Sequence, residues 1–304
     1  MKRLVLLIVI LSLSTFAIYS NGHRLGFKFE GGYNDMFIPL STQGHFGTKI
    51  DIGIVYELQD RHFLLQTGVG LNHVSNIVHN NLYSGTFENM IDTDNDACTY
   101  HFVLEDKIDK INRLNISPRI LFGGIWEPFY FLLGSYINIG LLEVTHSQCY
   151  LTTYGEYENL IEPLKNMPNH YFFNRLELSN IYQQSDLYNK KIPKPDIRIH
   201  AEYGIKLPMR NVFSGKISAP HLTHRIALFC EIGVVDTSPT KALPLYDFHK
   251  NSDRIEDIDF ENIQINHLYY SNLSTNKTAL PFSIGIAYTL LLQYSQRNNC
   301  NCTE

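Results

Sequence analysis

The chain has 304 residues, a formal net charge of −5 and no basic tract, which leaves nucleic acid without an electrostatic footprint. Its length suits one large domain or two ordinary ones. Beyond the N-terminal region no apolar run approaches the roughly 20 residues of a spanning helix, so only strands are left as a means of crossing a membrane.

Lys2 and Arg3 precede an apolar run at residues 4–13, and Ser14, Thr15 and small or polar residues lead on to Gly22. That order of charge, apolar core and exit marks residues 1–22 as a cleaved secretory signal, with the cut after Ser20 or Gly22. No cysteine stands near the exit, which argues against a bacterial lipoprotein. Export permits disulfides. Cys98 and Cys149 both fall in long connections and form a candidate pair. Cys230 reads as a small hydrophobe on a strand face. Cys300 and Cys302 lack the second pair that a zinc knuckle needs.

From residue 24 the sequence alternates with a period of two, the signature of strands. Residues 24–33 set Leu25, Phe27 and Phe29 against Arg24, Gly26, Lys28 and Glu30. Residues 48–58 set Ile50, Ile52, Ile54 and Tyr56 against Lys49, Asp51, Gly53 and Glu57, and a tight turn leads into a third strand at 62–72. Residues 74–110 break the rhythm with Asn, Asp and an acidic excess. Residues 111–142 then form two long alternating segments joined at Trp126 and Glu127. Arg113 and Arg119 share the polar face of the first, and Pro118 marks an edge-like or bulged position. The second sets Phe129, Phe131, Leu133, Ile137 and Ile139 against Tyr130, Gly134, Tyr136 and Asn138.

Residues 143–196 are a second irregular stretch, with room for a short helix near residues 171–182. A strand at 197–207 carries Arg198, His200 and Glu202 on its polar face, and one at 225–235 carries Arg225, Glu231 and Gly233. The third long connection is 236–279, and a last strand begins at Leu280. Residues 23–295 thus form the folded unit and 296–304 a tail.

The count is eight strands, with connections that alternate between long and short. The fold class expected is all-β: an eight-stranded antiparallel transmembrane barrel of outer-membrane type, with both termini periplasmic and long extracellular loops at 74–110, 143–196 and 236–279. Glycines gather on the polar face, where a narrow interior needs room. The same face mixes Arg24, Lys28, Lys49, Arg113, Arg119, Arg198 and Arg225 with Glu30, Asp51, Glu57, Glu202 and Glu231, which reads as a paired charge network in the lumen. A soluble, lipocalin-like barrel is the alternative arrangement of the same strands.

The strands also resemble the PorT-like outer-membrane β-barrel family of Bacteroidota. The resemblance rests on Leu25-Gly-Phe-Lys-Phe-Glu-Gly-Gly32, on Gly53-Ile-Val-Tyr-Glu57 running to Gln66-Thr-Gly68, on Arg113-Leu-Asn-Ile-Ser-Pro118, on Tyr130-Phe-Leu-Leu-Gly-Ser-Tyr136, and on Phe282-Ser-Ile-Gly-Ile-Ala-Tyr288. It covers the strands and not the long loops. It implies eight strands with short periplasmic turns, in a family of which one branch assists type IX secretion.

The expected role is a non-enzymatic subunit of a cell-envelope complex, in contact with outer-membrane lipid and bound to another envelope protein through the loops. The alternatives are a lipid-modifying enzyme, for which His73 and Ser75 are the only rim candidates, and a secreted soluble β-barrel binding protein. Neither cofactor nor metal is expected. Asp92-x-Asp94-x-Asp96 has oxygen ligands at alternate positions, but Ala97 and Val103 stand where a calcium loop needs Gly and Glu. It reads as a solvated acidic loop, as does the cluster Asp253, Glu256, Asp257 and Asp259.

Overall fold

The computed structural model describes residues 22–37, 45–183, 196–207, 222–234, 246–248, 252–259, 263–265 and 280–296. Residues 1–21 of the expected signal, most of the connection at 236–279 and the cysteines at 300 and 302 lie outside the described residues, while Gly22 begins the first strand.

Period-two alternation is realised as antiparallel strands throughout. In chain order these are β1 (Gly22–Phe37), β2 (His45–Asp60), β3 (Phe63–Ile91), β4 (Ala97–Trp126), β5 (Phe129–Glu156), β6 (Leu164–Lys165), β7 (Leu176–Gln183), β8 (Asp196–Leu207), β9 (Leu222–Gly233), β10 (Tyr246–Asp247), β11 (Gln264–Ile265) and β12 (Leu280–Gln296). Ten belong to one sheet, and β10 and β11 make a separate pair. The large sheet runs β4-β3-β2-β1-β12-β9-β8-β5, and pairing of β4 with β5 turns it into a ring. β6 and β7 attach to β5 beyond that path.

This ring is not the eight-stranded transmembrane barrel that the loop pattern predicted. β3, β4 and β5 run for 29, 30 and 28 residues, straight through much of what read as irregular loops at 74–110 and 143–196. The described pairing of β2 with β3 ends at His45–Val78, and that of β8 with β5 at Asp196–Asn138. Above those points the ring opens and β5 takes β7 and then β6 as its partners instead. The helix expected near 171–182 is the strand β7, preceded by a short 3-10 turn at Pro168–His170. With the loops replaced by strands, the premise for outer-membrane placement, outside loops and periplasmic termini, is gone. No helix among the described residues is long and apolar enough to cross a membrane.

Two apolar cores result. In the ring, Leu64, Leu121, Ile125, Leu132, Phe229, Ala287 and their neighbours point inward. A larger cluster lies between the upper strands and forms a head. Met90, Tyr100, Phe102, Leu104 and Leu151 meet Phe172, Leu178, Phe248, Ile255 and Ile265 there. Phe102 lies 4.8 Å from both Phe248 and Tyr246, centroid to centroid. The Tyr100 hydroxyl donates to the carbonyl of Tyr171 at 2.9 Å, so the ring is buried without stranding its polar tip.

Outward positions of the ring are apolar on every strand. Phe27, Ile52, Leu71, Phe122, Ile139, Ile199, Leu228 and Ile286 are between 46% and 67% exposed. The chemistry changes along β5: Ile139, Leu141 and Leu142 give way to His146, Gln148, Tyr150, Thr152 and Tyr154.

Pro118 sits where the ladder has a gap. β4 and β5 pair at Ile116–Ile139 and again at Arg119–Tyr136, with Ser117 and Pro118 between them unmatched.

Because Phe102 is the aromatic that joins β4 to both Tyr246 and Phe248, Phe102→Ala should destabilise the head by about 3–5 kcal/mol. Hydrogen exchange should show faster exchange in 97–110 and 145–155 with the ring amides unchanged. Uniform acceleration would mean that ring and head are one cooperative unit.

Candidate functional site

The polar side of the ring strands closes into a buried charge network, and Glu30 on β1 is its hub. Oε1 accepts from the Tyr136 hydroxyl at 2.6 Å and lies 3.0 Å from Lys28 and 3.8 Å from Arg119. Oε2 accepts from Lys49 at 3.1 Å. Lys28 reaches across to Glu202 and Lys49 to Glu231. His200 stacks on Tyr136 at 4.4 Å, with Nδ1 3.0 Å from Glu231 and Nε2 3.4 Å from Glu202.

Other pairs surround this centre. Arg225 grips Glu57 with both guanidinium nitrogens, at 2.5 and 2.7 Å, and Arg24 joins the same carboxylate at 3.2 Å. Arg119 donates to Asp51 at 2.5 Å. Arg198 donates to Asp196 at 2.7 Å, to Ser283 at 2.9 Å and to Asn34 at 3.2 Å. Two glycines make the space for this: a Cβ on Gly70 would stand 1.9 Å from Arg119 Nη2, and one on Gly53 would stand 2.5 Å from it.

The structure therefore brings together Arg24, Lys28, Glu30, Lys49, Asp51, Glu57, Arg119, Arg198, Glu202, Arg225 and Glu231, all buried. Arg113 stands apart. It faces Glu143 across the β4–β5 ladder, with its Nε 2.7 Å from the carboxylate, at the level where the ring opens. Arg119 pairs with Asp51 and lies near Glu30. Sequence reading gave no network role to Tyr130, Tyr136, Asn34 or Asp196. Tyr130 and Tyr136 share a strand face with Gly134, and that shared face is the signal that could have identified them.

Glu30, His200 and Glu202 could in principle hold a metal. Lys28 occupies the position a cation would take, bonded to both carboxylates. The network is thus a set of mutually neutralising groups. His73 and Ser75 lie two positions apart within β3, on its outward side and not at a strand end, and no third group orients them among the described residues. That arrangement does not activate a nucleophile.

Cys98 and Cys149 are free. Register explains why: Cys98 sits beside Met90, one step beyond the pair Thr99–Glu156, whereas Cys149 is seven residues back along β5 beside Leu178. At about 3.3 Å per residue the two stand roughly 25 Å apart along the sheet, against the roughly 7 Å that a disulfide allows between Cα atoms. Burial pushes the Cys149 thiol up to about 12, which leaves it unreactive. Cys230 is half-buried on the outward side of β9.

In the head, burial opposes ionisation of Asp92, but the Tyr157 hydroxyl and the backbone N–H groups of Asp96 and Asp94 outweigh it and hold the carboxyl below its usual range. At the lower rim Lys206 donates to Glu127 at 2.6 Å and lowers that carboxyl as well.

No family model matches this sequence, and no curated protein matches it. The PorT-like resemblance is therefore withdrawn, since it rested on short strand motifs that any alternating, glycine-bearing strand can produce. With it go the assignment to Bacteroidota and the role of an envelope-complex subunit acting through irregular outer loops, because the structure turns two of those loops largely into strands.

Arg119→Leu should cost about 3–5 kcal/mol of stability, because Asp51 would be left buried without its cation. Arg119→Leu combined with Asp51→Asn should recover a large part of it in denaturant unfolding. Equal loss in the single and double variants would show that the pair is not coupled.

Proposed function

We propose that this chain is an exported, non-catalytic binding protein, covered on the outside of its ring by the acyl chains of lipid and meeting a protein partner through its head. The observation that carries this reading is the apolar outward face, which is present on all eight strands that follow one another round the ring. An exposed apolar surface of this extent marks an interaction site. A globular partner covers a patch on one side, whereas this surface goes all the way round, and fluid chains can follow a closed curve. The polar turn at His146 and Gln148 on β5 gives that surface an upper limit.

The head supports the second half of the reading. Its own core holds its surface in place, and Ile161 at the turn between β5 and β6 is 102% exposed, beside Leu160 at 47%. An isoleucine held out in this way on an ordered frame suits a contact with another protein.

Purified protein should remain monodisperse only while an amphiphile is present, and it should carry lipid detectable by mass spectrometry. Ile52→Asp together with Leu228→Asp should reduce the bound lipid. Monodisperse, lipid-free protein in plain buffer would overturn the acyl-chain reading. For the head, a photo-crosslinker at position 161 should trap one defined protein, and Ile161→Glu should weaken that complex at least tenfold. Crosslinks that are diffuse, or unchanged with the crosslinker moved to Lys110, would remove the head from the account.

A further inference from the structure

We propose that Asp92, Asp94 and His170 form a site for a divalent transition-metal ion of the zinc class on the side of the head. Asp92 and Asp94 belong to the turn between β3 and β4, and His170 ends the 3-10 turn Pro168–His170, far away in sequence. One ligand atom from each lies within 4.8 Å of the others. His170 Nε2 is 3.8 Å from Asp94 Oδ2, while the ring's other nitrogen, which faces Thr93, is 4.0 Å from Asp92 Oδ2. The 3.8 Å gap is too long for a hydrogen bond and somewhat longer than the spacing of ligands about 2.0–2.2 Å from one zinc ion. Asp94 is the exposed member, so its side chain is free to close the difference.

The surroundings orient two of the ligands. Asp92 Oδ1 accepts the backbone N–H groups of Asp94 and Asp96, each at 2.9 Å, and Oδ2 accepts the Tyr157 hydroxyl at 2.6 Å. His170 Nδ1 lies 2.8 Å from the Thr93 hydroxyl, and its ring stacks on Phe172 at 6.1 Å. Outer partners that fix a carboxylate and an imidazole in this way are what metal ligands ordinarily have. Imidazole nitrogen in the set selects against calcium, which takes oxygen ligands, and favours ions such as zinc. Three protein ligands leave water the remaining positions on the exposed side. An ion here would clamp the β3–β4 turn to the segment between β6 and β7.

The test uses the full chain after chelator treatment, titrated with zinc chloride by calorimetry and melted with and without zinc. A parallel sample with Cys300→Ser and Cys302→Ser removes the tail thiols as competing ligands. Binding of one equivalent is expected in both samples, with a rise in melting temperature, because an ion that binds only the folded form stabilises it. His170→Gln and Asp94→Asn should each weaken that equivalent at least tenfold and abolish the rise. Asp94 is on the surface, so its variant folds without metal. Absence of binding in the full chain overturns the proposal. So does zinc affinity unchanged in Asp94→Asn, or binding that vanishes with the tail cysteines.

Discussion

Burying eleven ionised side chains inside a ring, with Asp196 half-buried beside them, is possible only if every one finds an opposite charge, and the rest of the structure is arranged around that demand. Arg24, Lys28, Lys49, Arg119, Arg198 and Arg225 face Glu30, Asp51, Glu57, Asp196, Glu202 and Glu231, six against six. Desolvating such groups costs several kcal/mol per ion, which only good geometry and further hydrogen bonds offset. Here the geometry comes from the strand register. β1 sets Glu30 opposite Asp51 and Lys28 opposite Gly53, and the glycine opens the room into which a neighbour's guanidinium reaches. A slip of one residue would turn every charge outward and every isoleucine inward, so the network fixes the register as strongly as the register makes the network.

Above the charges the demand relaxes, and the sheet opens. β3, β4 and β5 continue, but their inner positions change from the dense ion network to Asn72, Asn76, Asn115 and Ser117, then to the buried pair Lys107–Asp109, and then to the aromatics of the head. Bulges accommodate the change. The β4–β5 register shifts between Leu114 and Asn115 and again between Glu105 and Ile108, where Asp106 adopts a φ of 51°. Each bulge bends and twists the strand locally, which helps a ladder that begins in a curved ring to end in a more open sheet.

The ring strands and their inward charges were legible because one face is apolar and the other is not. Ile50, Ile52 and Ile54 against Lys49, Asp51 and Gly53 leave no other period to choose. The upper half of β5 was illegible for the opposite reason: Thr145, Ser147 and Thr153 face in beside Cys149 and Leu151, while His146, Gln148 and Thr152 face out, and two faces that both carry polar residues give no clear alternation to read. In the upper half of β4 the run Cys98, Tyr100, Phe102, Leu104 does alternate, but it stops at the bulge after Glu105 and is hidden by the acidic residues around it. Of the proposed metal site the sequence showed the two aspartates, but not His170, which joins Asp92 and Asp94 only through tertiary folding. The short family-like motifs failed because they report the strand pattern and nothing more.

The unbroken run of β3, β4 and β5 from ring to head has a mechanical consequence. Ring and head share three continuous strands joined by two ladders, with no hinge segment within these strands between the two cores. A pull on the head loads the backbone hydrogen bonds of those ladders in shear, many at once, rather than unzipping them one by one. The head should therefore act as a stiff lever: a force or torque at its tip reaches the ring undiminished, and the ring in turn dictates the direction in which the head can point.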